Sequence, residues 1–218
     1  SQATVLKALE GIKCDDTTGD VIRLCLSGNN LKGQLPVGLG TLTSLTQLVL
    51  SHNQLSGHLP ACLGQLVHLE NLHLDNNNFE GEVPKSLKSL EHLVVLKLEN
   101  NKLSGSIPAV LGHLHRLRRL DLSNNQLTGA IPARLTQLAQ LQELLLFGNQ
   151  LSGVLPETVG QWVSLTSLQL QNNCLQGYIP ASIARLTKLT GINIQQNPDL
   201  IVDRLQLQRA LPRCRIKM

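Results

Sequence analysis

Apolar and polar positions recur along this chain with a fixed period of 24 residues. Residues 117–132 read LRRLDLSNNQLTGAIP, and the full frame is L-x-x-L-x-L-x-x-N-x-L-x-G-x-[LIV]-P-x-x-L-x-x-L-x-x. The first positions of the copies are Val21, Leu45, Leu69, Leu93, Leu117, Leu141, Leu165 and Leu189. A fixed period of this length, running over residues 21–197 without an insertion, predicts a solenoid of stacked repeats.

The L-x-L core of each repeat predicts a short β-strand. In a strand, alternate side chains point to one side, so Leu120 and Leu122 point inward while the residues between and beside them face solvent. One repeat cannot bury its apolar face alone, and stacking supplies the missing wall. The strands are therefore expected to pair into one parallel sheet that lines the inner curve of the solenoid.

Three columns of identical residues accompany the leucines. Because an amide both donates and accepts, the asparagines are predicted to form a buried ladder that satisfies turn backbone groups. The ladder consists of Asn29, Asn53, Asn77, Asn101, Asn125, Asn149, Asn173 and Asn197. The glycine column, from Gly33 to Gly177, predicts positive φ or a close backbone approach. The proline column, from Pro36 to Pro180, suits the end of a short extended segment.

This frame resembles the leucine-rich repeat family, in the plant-specific subclass marked by the G-x-I-P segment. The resemblance implies an α/β solenoid: a right-handed horseshoe with a parallel β-sheet on the concave face, capped at both ends. It also implies a second small sheet at the G-x-[LIV]-P segment. The expected function is non-catalytic binding of one protein partner on the concave face, by a monomer that needs no cofactor.

The chain then divides into a cap at residues 1–20, about eight repeats at 21–197 and a second cap at 198–218. The first cap has apolar residues at near-helical spacing, namely Val5, Leu6, Leu9 and Ile12. Residues 11–15 look like the G-V-x-C-D part of the plant-type amino-terminal cap, without its usual tryptophan and upstream cysteine. The second cap is predicted to be a helix from Leu200, with Val202, Leu205 and Leu211 on its inner face.

Three aromatic residues interrupt the leucine pattern. Phe79 and Trp162 occupy leucine positions of the frame and are predicted to fill larger gaps in the core. Tyr178 lies between Gly177 and Ile179 at an outward position, and we expect it to be exposed.

Charge and motifs exclude several classes of function. The net charge of the 218 residues is +4 and the charges are dispersed among the repeats, so no nucleic-acid surface is expected. The carboxyl-terminal cap has a positive character, from Arg204, Arg209, Arg213, Arg215 and Lys217. No run of about 18 apolar residues predicts a membrane span. Hydrolase, metalloprotease, phosphate-loop and dinucleotide motifs are absent, so no catalytic residue is assigned. His68 and His92 fall in equivalent positions of adjacent repeats, but Arg116 follows in the same column and would repel a metal ion.

The five cysteines are odd in number and scattered, and no Asn-x-Ser/Thr sequon is present. Reduced thiols in a reducing compartment are the simplest explanation, which predicts a cytoplasmic protein. The alternatives are an extracellular recognition domain, as a receptor ectodomain or an inhibitor of a secreted enzyme, and a targeting domain of a larger enzyme.

Three columns of outward strand residues are predicted to form the concave binding face. The first column is Arg23, Gln47, Asn71, Val95, Arg119, Glu143, Ser167 and Gly191. The second is Cys25, Val49, His73, Lys97, Asp121, Leu145, Gln169 and Asn193. The third is Ser27, Ser51, Asp75, Glu99, Ser123, Phe147, Gln171 and Gln195.

The centre of this face is charged and mixed in sign, and opposite charges are expected to bridge laterally between strands. Beyond the charges, Leu145 and Phe147 form an apolar pair on an otherwise polar face. Binding hot spots are few, often aromatic, and framed by polar residues. The predicted partner-binding residues are Phe147, Leu145, Arg119, Asp121, Glu143, Gln169, Gln171, Lys97, Glu99 and His73.

Overall fold

A computed structural model of the chain describes residues 11–218. Each repeat supplies one strand to an inner sheet, one strand to an outer sheet, and a 3-10 helix that leads back to the next inner strand. The strands are β1 Ile12–Cys14, β2 Val21–Cys25, β3 Lys32–Gly33, β4 Gln47–Val49, β5 Gln54–His58, β6 Asn71–His73, β7 Asn78–Glu82, β8 Val95–Lys97, β9 Lys102–Ser106, β10 Arg119–Asp121, β11 Gln126–Gly129, β12 Glu143–Leu145, β13 Gln150–Gly153, β14 Ser167–Gln169, β15 Cys174–Tyr178, β16 Gly191–Asn193, β17 Asp199–Ile201 and β18 Arg215–Lys217. The predicted helical positions Val5, Leu6 and Leu9 lie outside the described residues.

The inner sheet has ten strands, in the order β1-β2-β4-β6-β8-β10-β12-β14-β16-β18. Eight of them come from the repeats and pair in parallel with the predicted register, for example Leu96 beside Leu120 and Leu144. Two further strands extend the sheet beyond the eight that the repeat predicts: β1 pairs antiparallel with β2, and β18 pairs parallel with β16.

The outer sheet has eight strands, in the order β17-β15-β13-β11-β9-β7-β5-β3. It is the second small sheet that the resemblance implies. All glycines of the column have a positive φ, and at Gly57, Gly81, Gly105 and Gly177 a neighbouring side chain also comes too close for a Cβ. Gly81 has a φ of 74°, and a Cβ at this position would lie 2.2 Å from the Cδ2 atom of His58. The outward side chain of one repeat thus lies over the glycine of the next.

Short 3-10 helices, rather than α-helices, connect the outer strands to the inner ones. They span Val37–Thr41, Ala61–Gln65, Lys85–Ser89, Ala109–His113, Ala133–Gln137, Val159–Gln161 and Ala181–Arg185. Pro60 immediately precedes one of them in extended conformation and accepts a hydrogen bond from the Leu63 N–H. The one α-helix among the described residues, α1, spans Arg204–Ala210.

Leucines from every repeat merge into one continuous core. Phe79 and Trp162 are fully buried in it, which confirms their predicted role. The Trp162 indole N–H also donates a 2.8 Å hydrogen bond to the Leu135 carbonyl of the preceding repeat. Most of the asparagine ladder is buried beside this core. The Asn125 amide donates to the carbonyls of Leu98 and Leu122 and accepts from the Leu103 N–H at 3.0 Å.

The carboxyl-terminal segment differs from the predicted single helix. β17 extends the outer sheet first, and α1 begins only after Asp203, whose carboxylate accepts a 3.0 Å hydrogen bond from the Gln206 N–H. Because this cap sets where the helix starts, Leu207 and Leu211, four residues apart, face the core. The assignment of Leu205 to the inner face was wrong, since its side chain is exposed.

Candidate functional site

The concave face is built from the three outward columns of the inner sheet. In-register pairing places Asn71, Val95, Arg119 and Glu143 side by side, and the second column aligns in the same way. The inward leucine of each of these strands is fully buried, so the outward side chains stand on a rigid base. Adjacent strands in a sheet lie about 4.8 Å apart, which fixes the spacing of the side chains along the face.

Ion pairs occupy the centre of the face. Arg119 donates to Glu143 of the next repeat at 2.7 Å and to Asp121 of its own strand at 3.1 Å. Lys97 lies 3.7 Å from Glu99, also within one repeat. The pair between Arg119 and Glu143 is lateral, as predicted, whereas the other two join residues two positions apart along the chain.

Two of the predicted contact residues are buried by their neighbours. Asp121 is 3% exposed and Glu99 is 9% exposed. One carboxylate oxygen of Asp121 accepts from the Ser123 hydroxyl at 2.7 Å, and the other faces Arg119. Both carboxylates therefore hold neighbouring side chains in place. The predicted residues that keep exposed area are His73, Lys97, Arg119, Glu143, Leu145, Phe147, Gln169 and Gln171.

Burial also changes the proton affinity of two groups on this face. Desolvation, and next the nearby Asp121 carboxylate, raise the pKa of Glu99 to about 7. No group among residues 11–218 donates a hydrogen bond to its buried Oε2 atom. Desolvation, and next the charge of Lys97, lower the pKa of His73, which favours the neutral imidazole.

We expect Glu99 to make folding stability depend on pH. An unperturbed glutamate titrates at 4.5, so the folded state binds more protons between about pH 4.5 and 7, and stability falls as pH rises through that window. One pKa unit corresponds to about 1.4 kcal/mol, so the difference between 4.5 and about 7 corresponds to about 3 kcal/mol at pH 8. Because Glu99→Gln also removes the ion pair with Lys97, it should raise the free energy of unfolding at pH 8 by roughly 2 kcal/mol. Urea unfolding at pH 4.5 and pH 8 measures this.

The matched control is Glu143→Gln, which removes a more exposed carboxylate from the same face. It should leave the pH dependence in place. A Glu99→Gln protein whose stability still falls from pH 4.5 to pH 8 as in the wild type would contradict the assignment.

Leu145 and Phe147 lie beside these charges, on β12 and in the turn that follows it. Both are half-buried, and neither is part of the apolar core. The backbone around the ring is held firmly, because the Phe147 carbonyl accepts from the Asn124 N–H at 2.8 Å. Gln169 follows in the next repeat and donates to the Ser167 hydroxyl at 3.1 Å. The structure thus places a rigid apolar patch, Leu145 and Phe147, between charged and amide side chains.

One column beside this face was not predicted from the sequence. The residue before each ladder asparagine has a left-handed backbone, with φ of 54° at Asn76, 51° at Asn124 and 66° at Gly148. Asparagine and glycine adopt this conformation most readily. The signal was the recurring Asn-Asn pair. These turns direct polar side chains along the rim, and Asn124 donates to the Asn100 amide oxygen at 2.9 Å.

The histidine pair considered for metal binding is present as neighbours. The ring centroids of His68 and His92 lie 5.9 Å apart. Within residues 11–218, no group of three or more His, Cys, Asp or Glu side chains is arranged to hold a metal ion. A search of the same range for helices of membrane-spanning length and hydropathy finds none.

These features define a class of protein: a parallel β-solenoid that presents an open, regularly spaced side-chain surface. A family model described as a leucine-rich repeat region matches residues 22–194. The chain belongs to the leucine-rich repeat family. No match was found among curated protein sequences.

Solved structures of plant receptors resemble the chain. The ectodomain of the Arabidopsis thaliana membrane receptor kinase GASSHO1/SCHENGEN3, in complex with CASPARIAN STRIP INTEGRITY FACTOR 2, is 36% identical with a TM-score of 0.93, over 96% of this chain and 25% of that one. PEPR1 with AtPEP1 is 38% identical with a TM-score of 0.85, over 87% and 27%. The plant peptide hormone receptor RGFR1 with RGF2 is 36% identical with a TM-score of 0.75, over 77% and 27%. The chain spans about a quarter of the length of each of these proteins.

The prediction of a cytoplasmic protein was wrong. The matched structures are receptor proteins and the ectodomain of a membrane receptor kinase, which points to a secreted or cell-surface protein. The prediction rested on missing cap cysteines and sequons, and neither observation is decisive. The frame itself puts Leu or Phe two residues after each ladder asparagine except Asn197, so it excludes a sequon there regardless of compartment.

Proposed function

We propose that this chain is a non-catalytic protein-recognition module of the kind found in receptor ectodomains. It binds a peptide or protein segment on its concave face, with the patch of Leu145 and Phe147 as the anchor. The matched structures are complexes with CASPARIAN STRIP INTEGRITY FACTOR 2, AtPEP1 and RGF2, which supports this class of ligand.

The observation that carries the proposal is the position of Phe147. Its equivalents in the column are Ser123 and Gln171, so the core does not require an aromatic ring there. Leu145 lies on the same face, and both side chains keep exposed area after folding. An aromatic ring framed by polar groups that exclude water is the usual composition of a binding hot spot. Glu143, Gln169 and Gln171 supply this frame.

Around the anchor, the remaining predicted residues divide into two roles. Arg119, Lys97 and His73 are accessible and would contact the ligand. Asp121 and Glu99 are buried, and they hold Arg119 and Lys97 in place, respectively. An arginine held on both sides by carboxylates loses little further freedom when a ligand binds, which favours affinity.

The test is Phe147→Ser, which copies Ser51 and Ser123 of the same column. We expect a nearly unchanged melting temperature, because the ring lies outside the core. Affinity for a partner captured from the source tissue with the purified chain as bait should fall by about 2 kcal/mol, roughly thirtyfold. Isothermal titration calorimetry with the captured partner measures this.

Val163→Ser is the matched control, since it removes an exposed apolar side chain outside the three columns. Wild-type affinity in a folded Phe147→Ser protein would place the binding site elsewhere on the face. A large loss of stability would show that the ring belongs to the core.

A further inference from the structure

A second surface, on the outer sheet and the carboxyl-terminal helix, has an unusual distribution of apolar residues. One column of the outer sheet points away from the core and lies over the glycines. Its members in chain order are Gln34, His58, Glu82, Ser106, Ala130, Val154 and Tyr178. The first four are polar and the last three are not. Ile201 pairs with Tyr178 in the sheet and continues the apolar part.

The apolar part is exposed to solvent. Val154 is 53% exposed, Tyr178 is 72% and Ile201 is 51%. We call Ala130, Val154, Tyr178 and Ile201 the outer stripe. Its members lie on or directly after four adjacent strands, β11, β13, β15 and β17, so it runs for about 14 Å across the sheet. Single exposed apolar residues are ordinary, but a contiguous row at one end of a sheet indicates an interaction site.

The outer stripe leads into a groove of about 680 Å³. One wall is the 3-10 helix Ala181–Arg185, the other is α1, and the floor includes Ile183 and Leu207. Leu205, also on α1, is 70% exposed. The stripe and the groove together form one apolar track that is long enough for an extended chain segment.

The two elements that form the groove carry basic residues, Arg185 on the 3-10 helix and Arg204 and Arg209 on α1. Residues 178–218 contain seven Lys or Arg and two Asp or Glu, an excess of five positive charges. The whole chain has a net charge of +4, so residues 1–177 have a net charge of −1 and the positive charge is concentrated at this end. Arg204, Arg209 and Arg213 are exposed, and none forms an ion pair with another described residue. Of the two acidic residues, Asp203 lines the groove, where its carboxylate caps α1 by accepting a hydrogen bond from the Gln206 N–H.

The charge and shape of this surface indicate what kind of partner it binds. The geometry points to a second binding site, at the outer stripe and its groove, for an acidic protein segment with apolar anchor residues. Such a segment places aliphatic or aromatic side chains along the stripe and its carboxylates against the arginines. A second copy of this chain fits poorly, because a symmetric contact would bring the two arginine sets together. The apolar outer stripe also matches protein side chains better than it matches the polar backbone of a nucleic acid.

The site is tested by selection from a random 12-residue peptide library displayed on phage, with the immobilised full chain as target. Clones that bind a Tyr178→Gln, Ile201→Thr double variant are removed first. Tyr178→Gln copies Gln34, which occupies the equivalent position of the same column. We expect the remaining clones to be enriched in Asp and Glu and in large apolar residues. No enrichment, or enrichment without acidic residues, would overturn the proposal.

Synthetic peptides from the enriched clones then locate the site. Their affinity, measured by fluorescence anisotropy, should fall more than tenfold with Tyr178→Gln and with the double variant Arg204→Gln, Arg209→Gln. It should be unchanged by Phe147→Ser, which keeps this site distinct from the concave one. If Tyr178→Gln does not fold, Ile201→Thr provides the same comparison. Peptides that bind these variants as they bind the wild type would refute the site.

Two other partners, a second copy of this chain and a membrane surface, would give results that differ from those of an acidic peptide. Light scattering that shows a wild-type dimer and a Tyr178→Gln monomer would assign the track to self-association and overturn the proposal. Cosedimentation with phosphatidylserine vesicles that is lost in the arginine variant, without selection of acidic peptides, would assign it to a membrane surface and also overturn the proposal. A monomer that selects acidic peptides and ignores the vesicles supports it.

Discussion

Replacing Asn125 with alanine should lower the free energy of unfolding by about 3 kcal/mol or more. The Leu103 N–H would lose its acceptor at 3.0 Å, and the carbonyls of Leu98 and Leu122 would each lose one of two amide donors. Leaving a buried polar group without its partner costs about 1 to 3 kcal/mol. Urea unfolding followed by circular dichroism measures the loss.

Asn29→Ala is the matched control for Asn125→Ala. Asn29 begins the same column but is exposed, and among residues 11–218 its side chain donates only to the Ser27 carbonyl. We expect it to lose less than about 1 kcal/mol, since water replaces the lost bond. Equal losses at the two positions would show that burial of the ladder does not determine its contribution.

Replacing Trp162 with alanine should destabilise the chain by about 4 kcal/mol. The side chain is fully buried in a leucine position, and removing a buried tryptophan costs about 3 to 5 kcal/mol through lost contacts and the cavity that remains. The Leu135 carbonyl keeps its hydrogen bond from the Leu138 N–H, so the loss comes mainly from packing. Thermal and urea unfolding of the variant give the magnitude.

Trp162→Leu tests how much of this loss of stability comes from the cavity, because it restores the leucine of the repeat frame. Leucine is the residue of this position at Leu66 and Leu114, yet it is too small for the gap that the indole fills, so about half of the loss should remain. Wild-type stability in Trp162→Leu would mean that neighbouring repeats close over the smaller side chain. Val163→Ala, at an exposed neighbouring position, should change stability by less than about 0.5 kcal/mol.

Local patterns were sufficient to predict the repeat and its register. The 24-residue period, the two-residue period of the strands and the asparagine column are properties of adjacent residues, and each recurs in every copy. The inward leucines, the in-register inner strands and the buried positions of Phe79 and Trp162 follow from them. The three outward columns were also predictable, because a side chain that does not point inward in a strand must point outward.

Only the tertiary structure decided which outward residues remain accessible. Asp121 and Glu99 have the same alternation as Leu145 and Phe147, but a serine, an arginine and a lysine from the same repeats cover the two carboxylates. The accessible area of a side chain depends on the length, charge and conformation of the residues beside it, which lie two positions along the chain or 24 residues away in the next repeat. The two-residue period of a strand determines which way a side chain points, but it does not show which neighbouring side chains bury it.

The carboxyl-terminal end shows the same division. Its apolar residues and arginines are evident in the sequence, and the exposure of Tyr178 was predicted from the frame. The structure placed Ile201 beside Tyr178 and turned Leu205 outward, because β17 continues the outer sheet and Asp203 starts the helix only after it. Sheet pairing and helix capping bring together residues that the 24-residue repeat does not relate. The groove between α1 and the last 3-10 helix therefore could not be predicted from the sequence.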